Sequence, residues 1–79
     1  MKSIVVYSKT HCPQCDRAKE LLDSKKLSYN VKTLGVDYTK EDLLELVPNA
    51  RSVPQIFIDD KLIGGYTDLM NYLLDYHDL

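Results

Sequence analysis

Tryptophan is absent from this 79-residue chain, and so are an excess of basic residues, an apolar run of membrane-spanning length, and any repeat or low-complexity tract. Ten Lys and Arg against twelve Asp and Glu give a formal charge of −2 with no basic stripe, which argues against nucleic acid as a partner. A transmembrane helix needs ~20 consecutive apolar residues, so no membrane association is expected. The opening residues Met1-Lys2-Ser3-Ile4-Val5-Val6 lack the apolar length and small-residue cleavage site of a secretory leader. A cytoplasmic protein is expected, in a reducing compartment where a stable structural disulfide is out of place. Metal ligands are scarce as well. Cys12 and Cys15 would need two further ligands to close a zinc site, and the only histidines are His11, adjacent to Cys12, and His77, near the end of the chain. A redox pair is favoured over a metal half-site, and no metal is expected.

What is present is ordinary for a soluble globular protein, with 44% hydrophobic and 28% charged residues. The length suits one domain over residues 1–79, small in core but within the range that folds unaided. Ile4-Val5-Val6-Tyr7 is a β-branched run that suits a central strand buried on both faces. From Pro13 to about Ser24, Cys15, Ala18, Leu21 and Leu22 recur at helical spacing, with Asp16, Lys19, Glu20 and Asp23 on the other side. Ser28 to Leu34 alternates, with Tyr29 and Val31 on one side and Asn30 and Lys32 on the other, which predicts a second strand. Strand, helix and strand in that order form a βαβ unit with parallel strands and a right-handed crossover.

Gly35 and Asp37 interrupt the pattern, and Thr39-Lys40-Glu41-Asp42 resembles a capping box. The helix it opens is expected to run to about Val47, buried through Leu43, Leu46 and Val47, until Pro48 stops it. Val53 to Ile58 reads as a third strand, Asp59-Asp60 as a turn, and Lys61-Leu62-Ile63 as a hairpin partner ended by Gly64-Gly65. Thr67 is expected to cap a last helix whose stripe is Leu69, Leu73 and Tyr76, widened by Met70, Tyr72 and Leu74. The class is α/β, in the order βαβ, α, ββα.

The chemistry is concentrated at Cys12-Pro13-Gln14-Cys15. If a helix opens at Cys12 or Pro13, the Cys12 sulfur sits beside unpaired backbone N–H groups, and Cys15 follows one turn later on the same side, where the two sulfurs can meet as a disulfide. Pro13 supports that start, because its fixed φ and missing N–H are tolerated only in the first turn. The helix dipole contributes at most ~2 kcal/mol, or roughly 1.5 pKa units, to a Cys12 thiolate, so direct N–H bonds and nearby cations must supply the rest. Lys9 and Arg17 are the candidate cations. A pKa lowered by about three units raises the thiolate fraction at neutral pH about thirtyfold, but lost nucleophilicity removes a similar factor. The net gain is that Cys12 becomes the sulfur that departs easily from a mixed disulfide. This is thiol–disulfide exchange, with Cys12 attacking and Cys15 resolving.

Three separated stretches resemble glutaredoxins: Tyr7-Ser8-Lys9 through Cys12-Pro13-Gln14-Cys15 with Arg17-Ala18-Lys19, then Ser52-Val53-Pro54-Gln55-Ile56-Phe57-Ile58, then Ile63-Gly64-Gly65-Tyr66-Thr67-Asp68-Leu69. The likeness is to the small bacterial and phage dithiol members and covers nearly the whole chain. It implies the minimal thioredoxin fold, a four-stranded mixed sheet in the order 2-1-3-4 flanked by three helices. It also implies a glutathione site, with glutathione as co-substrate. Lys9 would meet a glutathione carboxylate, with Arg51 as a further carboxylate partner. The Val53 backbone, before a cis Pro54, would pair with the glutathione cysteine. Tyr66, Thr67 and Asp68 would hold the γ-glutamyl end. Partners implied are glutathione and disulfide-bearing client proteins, ribonucleotide reductase among those known for the family, and the expected state is a monomer.

The chain departs from the family's commonest pattern at Gln14, where Tyr would wall the glutathione, and at His11, which either adds charge near Cys12 or is a solvated loop residue. Plainer readings stand beside the functional ones. Lys9 reads equally as a solvated turn lysine, Pro54 as the start of an edge strand, Gly64-Gly65 as a chain turn, and Asp68 as a first-turn acid favoured by the helix dipole. Two alternatives in function remain: a thioredoxin-like donor recharged by a flavoprotein reductase, and a carrier of a glutathione-ligated cluster or metal. Pro13 resembles the members without a cluster.

Overall fold

The computed structural model describes residues 3–75; Tyr76 and His77 lie outside them. Seven elements follow one another: β1 (Ile4–Ser8), α1 (Pro13–Ser24), β2 (Asn30–Thr33), α2 (Lys40–Leu46), β3 (Gln55–Ile58), β4 (Lys61–Gly64) and α3 (Tyr66–Asp75). The strands form one sheet in the order β2-β1-β3-β4. β1 pairs with β2 in parallel, Val6 opposite Val31, and antiparallel to β3, Val6 opposite Ile56. This is the minimal thioredoxin arrangement expected above. No helix among the described residues is long and apolar enough to cross a membrane.

The period-2 alternation of the two central strands divides the interior. Ile4, Val6, Ile56 and Ile58 point to one face, where Ala18 and Leu22 of α1 and Leu69 and Leu73 of α3 cover them. Tyr7 and Phe57 point to the other, where they pack against Tyr38, Leu43 and Val47. Ser8, at the end of β1, is buried, and its carbonyl accepts two bonds, from the Leu34 N–H at 2.9 Å and the Tyr38 hydroxyl at 2.8 Å.

Local signals account for most boundaries. Thr39 caps α2 in a reciprocal capping box, accepting from the Asp42 N–H at 3.1 Å while Asp42 accepts from the Thr39 N–H at 2.9 Å. Asp59 and Asp60 both adopt positive φ, 52° and 66°, which gives the two-residue turn that joins β3 to β4. Three expectations need correction. Leu46 is 52% exposed, because α2 ends at Leu46 and only Leu43 and the capping residue Val47 reach the sheet. Met70 and Leu74, read as widening the apolar stripe of α3, are exposed, Leu74 by 64%, while Leu69 and Leu73 take the core positions. Thr67 is no cap: α3 already starts at Tyr66, and the first helical bond runs from the Leu69 N–H to the Gly65 carbonyl at 3.0 Å.

Candidate active site

Beyond β1 the chain turns through Lys9, Thr10 and His11, all exposed, and enters α1 at Cys12. His11 takes φ 54°, a left-handed conformation that a non-glycine residue rarely adopts, immediately before the cap. Histidine, with Asn and Asp, is enriched among the few non-glycine residues found there, so the residue type carries a weak signal of this conformation, which was missed.

Cys12 is the N-cap of α1, with extended backbone, φ −122° and ψ 96°, and Pro13 holds the first helical position. N-caps usually use Ser, Thr, Asp or Asn oxygens to satisfy the orphan N–H groups of the first turn. Here the acceptor is sulfur: the Cys15 N–H donates to Cys12 Sγ at 3.2 Å. The same geometry stabilises negative charge on that sulfur once the bond to Cys15 is broken, through one direct N–H donor and the positive end of the helix. The two cysteines are joined as a disulfide with Cα atoms 5.2 Å apart. Cys12 retains 6% exposure and Cys15 none, so only one sulfur of the pair faces the surface.

Opposite Cys12 lies the loop before β3. The Val53–Pro54 peptide is cis, and the Val53 carbonyl oxygen is 3.7 Å from Cys12 Sγ. Gln55 Nε2 donates to the Ser52 carbonyl at 2.9 Å and ties the loop together. Two grooves meet at Val53. One, about 390 Å³, brings together Gln14, Val53, Pro54, Tyr66, Thr67 and Asp68. The other, about 250 Å³, contains Lys9 and Arg51. The glutathione-site residues read from the sequence thus fall in two grooves that share Ser52 and Val53, and Val53 links both to Cys12. Ser52, which borders both, was missed, although its position beside Val53 could have marked it.

The wall formed by β4 and α3 is built with unusual local economy. Ile63 is an extra residue in β4, since Ile56 faces Gly64 while Phe57 faces Leu62, and this bulge turns the strand end toward the groove. Gly64 has φ 123°, and a Cβ there would lie 2.7 Å from Asp68 Cγ, so glycine is required twice over. Asp68 in turn accepts from the Gly65 N–H at 3.1 Å. One carboxylate oxygen is thus engaged in closing the helix start, which is the plainer of the two roles read for Asp68, and the N–H of Gly65 is not free for a ligand.

Against known proteins, the chain matches the glutaredoxin family model over residues 4–63. It is 40% identical over 75 residues to glutaredoxin 3 of Escherichia coli, covering 95% of this chain and 88% of that one. The chain belongs to the glutaredoxin family. Among solved structures, a glutaredoxin 1 from Francisella tularensis, complexed with cacodylate, superposes over 100% of both chains with a TM-score of 0.84 at 24% identity. A buckwheat glutaredoxin–glutathione complex gives a TM-score of 0.75 at 33% identity, over 95% of this chain and 71% of that one. As a glutaredoxin this protein is a thiol–disulfide oxidoreductase, and Cys12 and Cys15 are its exchanging pair.

Proposed function

We propose that the protein is a glutathione-dependent dithiol glutaredoxin that reduces protein disulfides and glutathione mixed disulfides in the cytoplasm, acting as a single-domain monomer. The observation that carries this reading is the arrangement at Cys12: a partly exposed sulfur at a helix N-terminus, with a fully buried partner behind it and a groove containing Val53, Thr67 and Asp68 in front. The glutathione bound in the buckwheat relative supports the same choice of co-substrate.

The Cys12 thiolate attacks the client disulfide, forming a Cys12–client bond and releasing one client thiolate. Cys15 then attacks Cys12 Sγ; the Cys12–Cys15 disulfide forms and the second client thiol leaves. One glutathione opens this disulfide at Cys12, and a second takes the first off as glutathione disulfide, so two glutathione thiols supply the two electrons. For this cycle Lys9 and Arg51 bind the glycyl carboxylate, and the Val53 backbone aligns the glutathione cysteine beside cis Pro54. Tyr66, Thr67 and the free oxygen of Asp68 receive the γ-glutamyl end. Gln14 borders this groove with an amide where an aromatic ring is commoner in the family. Ribonucleotide reductase is a candidate client by family likeness.

The test is reduction of a glutathionylated substrate by glutathione, coupled to glutathione reductase, for wild type, Cys12→Ser and Cys15→Ser. Cys15→Ser is expected to retain activity and Cys12→Ser to lose it entirely. A wild type that ignores glutathione yet turns over with thioredoxin reductase would leave the thiol chemistry standing and refute the glutathione site.

A further inference from the structure

The smaller groove contains more than a glycyl carboxylate requires. Beside Lys9 and Arg51 it contains Lys40, and much of the rest of its lining is apolar, Leu34 and Leu44 included. Among the described residues no acidic one borders it, although the chain as a whole is acidic, and it collects three of the ten Lys and Arg. Lys9, Lys40 and Arg51 are exposed, and none makes an ion pair among the described residues.

The apolar part is presented by rigid backbone. Leu34, 40% exposed, sits at the start of a turn closed by bonds from the Val36 and Asp37 N–H groups to the Thr33 carbonyl, at 3.0 and 2.8 Å. The Thr33 N–H donates to Asp37 Oδ2 at 2.8 Å. Val36, on the same turn, is 81% exposed. A turn hydrogen-bonded in this way holds its hydrophobic side chains in water at a cost that a binding partner recovers. Val53 borders both grooves and lies 3.7 Å from the reactive sulfur, so a polypeptide whose disulfide reaches Cys12 has this second groove as a path for its flanking residues.

We propose that the groove around Lys40 and Leu34 is a docking subsite for the client polypeptide, and that it selects clients carrying acidic and apolar side chains next to the reacting cysteine. The occupant is a peptide segment, since cations and apolar side chains lining one groove match a carboxylate and a hydrophobic side chain projecting from one backbone. The subsite acts on the exchange step itself: the client disulfide gains two electrons from the Cys12/Cys15 dithiol, which becomes the disulfide. It rests on the thiol–disulfide reading and not on which reductant recharges the pair.

The test uses the full chain, reduced beforehand and freed of reductant, in single-turnover reactions with no glutathione present. The substrates are two disulfide-closed peptides with a Leu next to the cysteine and either Glu-Glu or Lys-Lys beyond it, with hydroxyethyl disulfide as the small reference. Wild type is expected to oxidise about tenfold faster with the acidic peptide, a preference that fades at high salt. Lys40→Glu, at an exposed first-turn position where an acid suits the helix, removes most of that preference and leaves the hydroxyethyl disulfide rate unchanged. Leu34→Ser slows both Leu-bearing peptides without altering the charge preference. Equal wild-type rates for the two peptides, or an equal loss toward hydroxyethyl disulfide in Lys40→Glu, would overturn the proposal. Because glutathione is left out, failure of the glutathione site would show only in the coupled assay.

Discussion

Against one face of the sheet, α1 and α3 bury eight residues, all aliphatic: Ile4, Val6, Ala18, Leu22, Ile56, Ile58, Leu69 and Leu73. Against the other, α2 and its approach bury three, Tyr38, Leu43 and Val47, on a floor that includes Tyr7 and Phe57. The first face is covered by two helices of 12 and 10 residues, the second by one of 7. Aromatic edges do on the thin side what aliphatic volume does on the thick one. The Tyr7 ring meets Tyr38 at 5.1 Å and Phe57 at 5.6 Å, both edge to face, a geometry that adds to the burial of each ring. The division matches function. The helix that carries the cysteines is anchored in the thick layer through Ala18 and Leu22, while one groove runs along α2, at Lys40, Leu43 and Leu44, and the other along the start of α3, at Tyr66, Thr67 and Asp68.

If that contrast is physical, truncations on the two faces should differ. Leu22→Ala is expected to cost about 4 kcal/mol and Leu43→Ala about 2 kcal/mol, because the fully buried site cannot collapse around the gap and the other lies near solvent. Urea denaturation of both variants checks this, and equal losses would erase the distinction between the faces.

A smaller effect sharpens it. Tyr38 is buried, and its hydroxyl holds the Ser8 carbonyl at the root of the cysteine loop. Burial, with the Tyr7 phenol beside it, raises its pKa above the usual 10.0. A folded-state pKa raised above the unfolded value means that the contribution is complete below about pH 10 and is lost as pH rises through the folded pKa. Tyr38→Phe is expected to cost about 1 kcal/mol at neutral pH, since Ser8 keeps its bond from the Leu34 N–H. It should also remove part of the alkaline loss of stability expected for the wild type, which pH-dependent thermal melts of the two proteins would compare.

The least effect is expected at the cap. Thr39→Ala should cost about 1 kcal/mol and, by loosening the start of α2, should speed amide exchange in α2 while leaving α1 and α3 unchanged. Faster exchange across all three helices would mean that the two layers unfold as one.

The order and type of all seven elements were readable in advance, because strand alternation, helical spacing, the capping box at Thr39 and the turn at Asp59-Asp60 are local. Leu46 shows the limit: its spacing within α2 is right for burial, yet α2 ends there and only Leu43 and Val47 reach the sheet, and no local pattern carries the reach of another element. Leu74 departs in the same way: helical spacing places it beside the α3 stripe, yet it is 64% exposed while Leu69 and Leu73 take the core. At Thr67, a good capping residue lost to Gly65: α3 starts two residues earlier than a Thr67 cap would allow, and Asp68 completes that start by accepting from the Gly65 N–H.

The sequence by itself determined the chemistry. Two cysteines one helical turn apart, with proline in the first turn, dictate a sulfur at a helix N-terminus and a partner within reach of a disulfide, since both follow from helix geometry alone. The tertiary structure decided what surrounds that pair. Residues 41 positions apart bring the Val53 carbonyl to Cys12, and packing of the sheet separates the glycine-walled groove from the one bearing Lys9, Lys40 and Arg51. It also engages one oxygen of Asp68 with the chain's own backbone. These are contacts between distant segments, whose partners are chosen by the sum of burial over the whole sheet and not by the residues on either side.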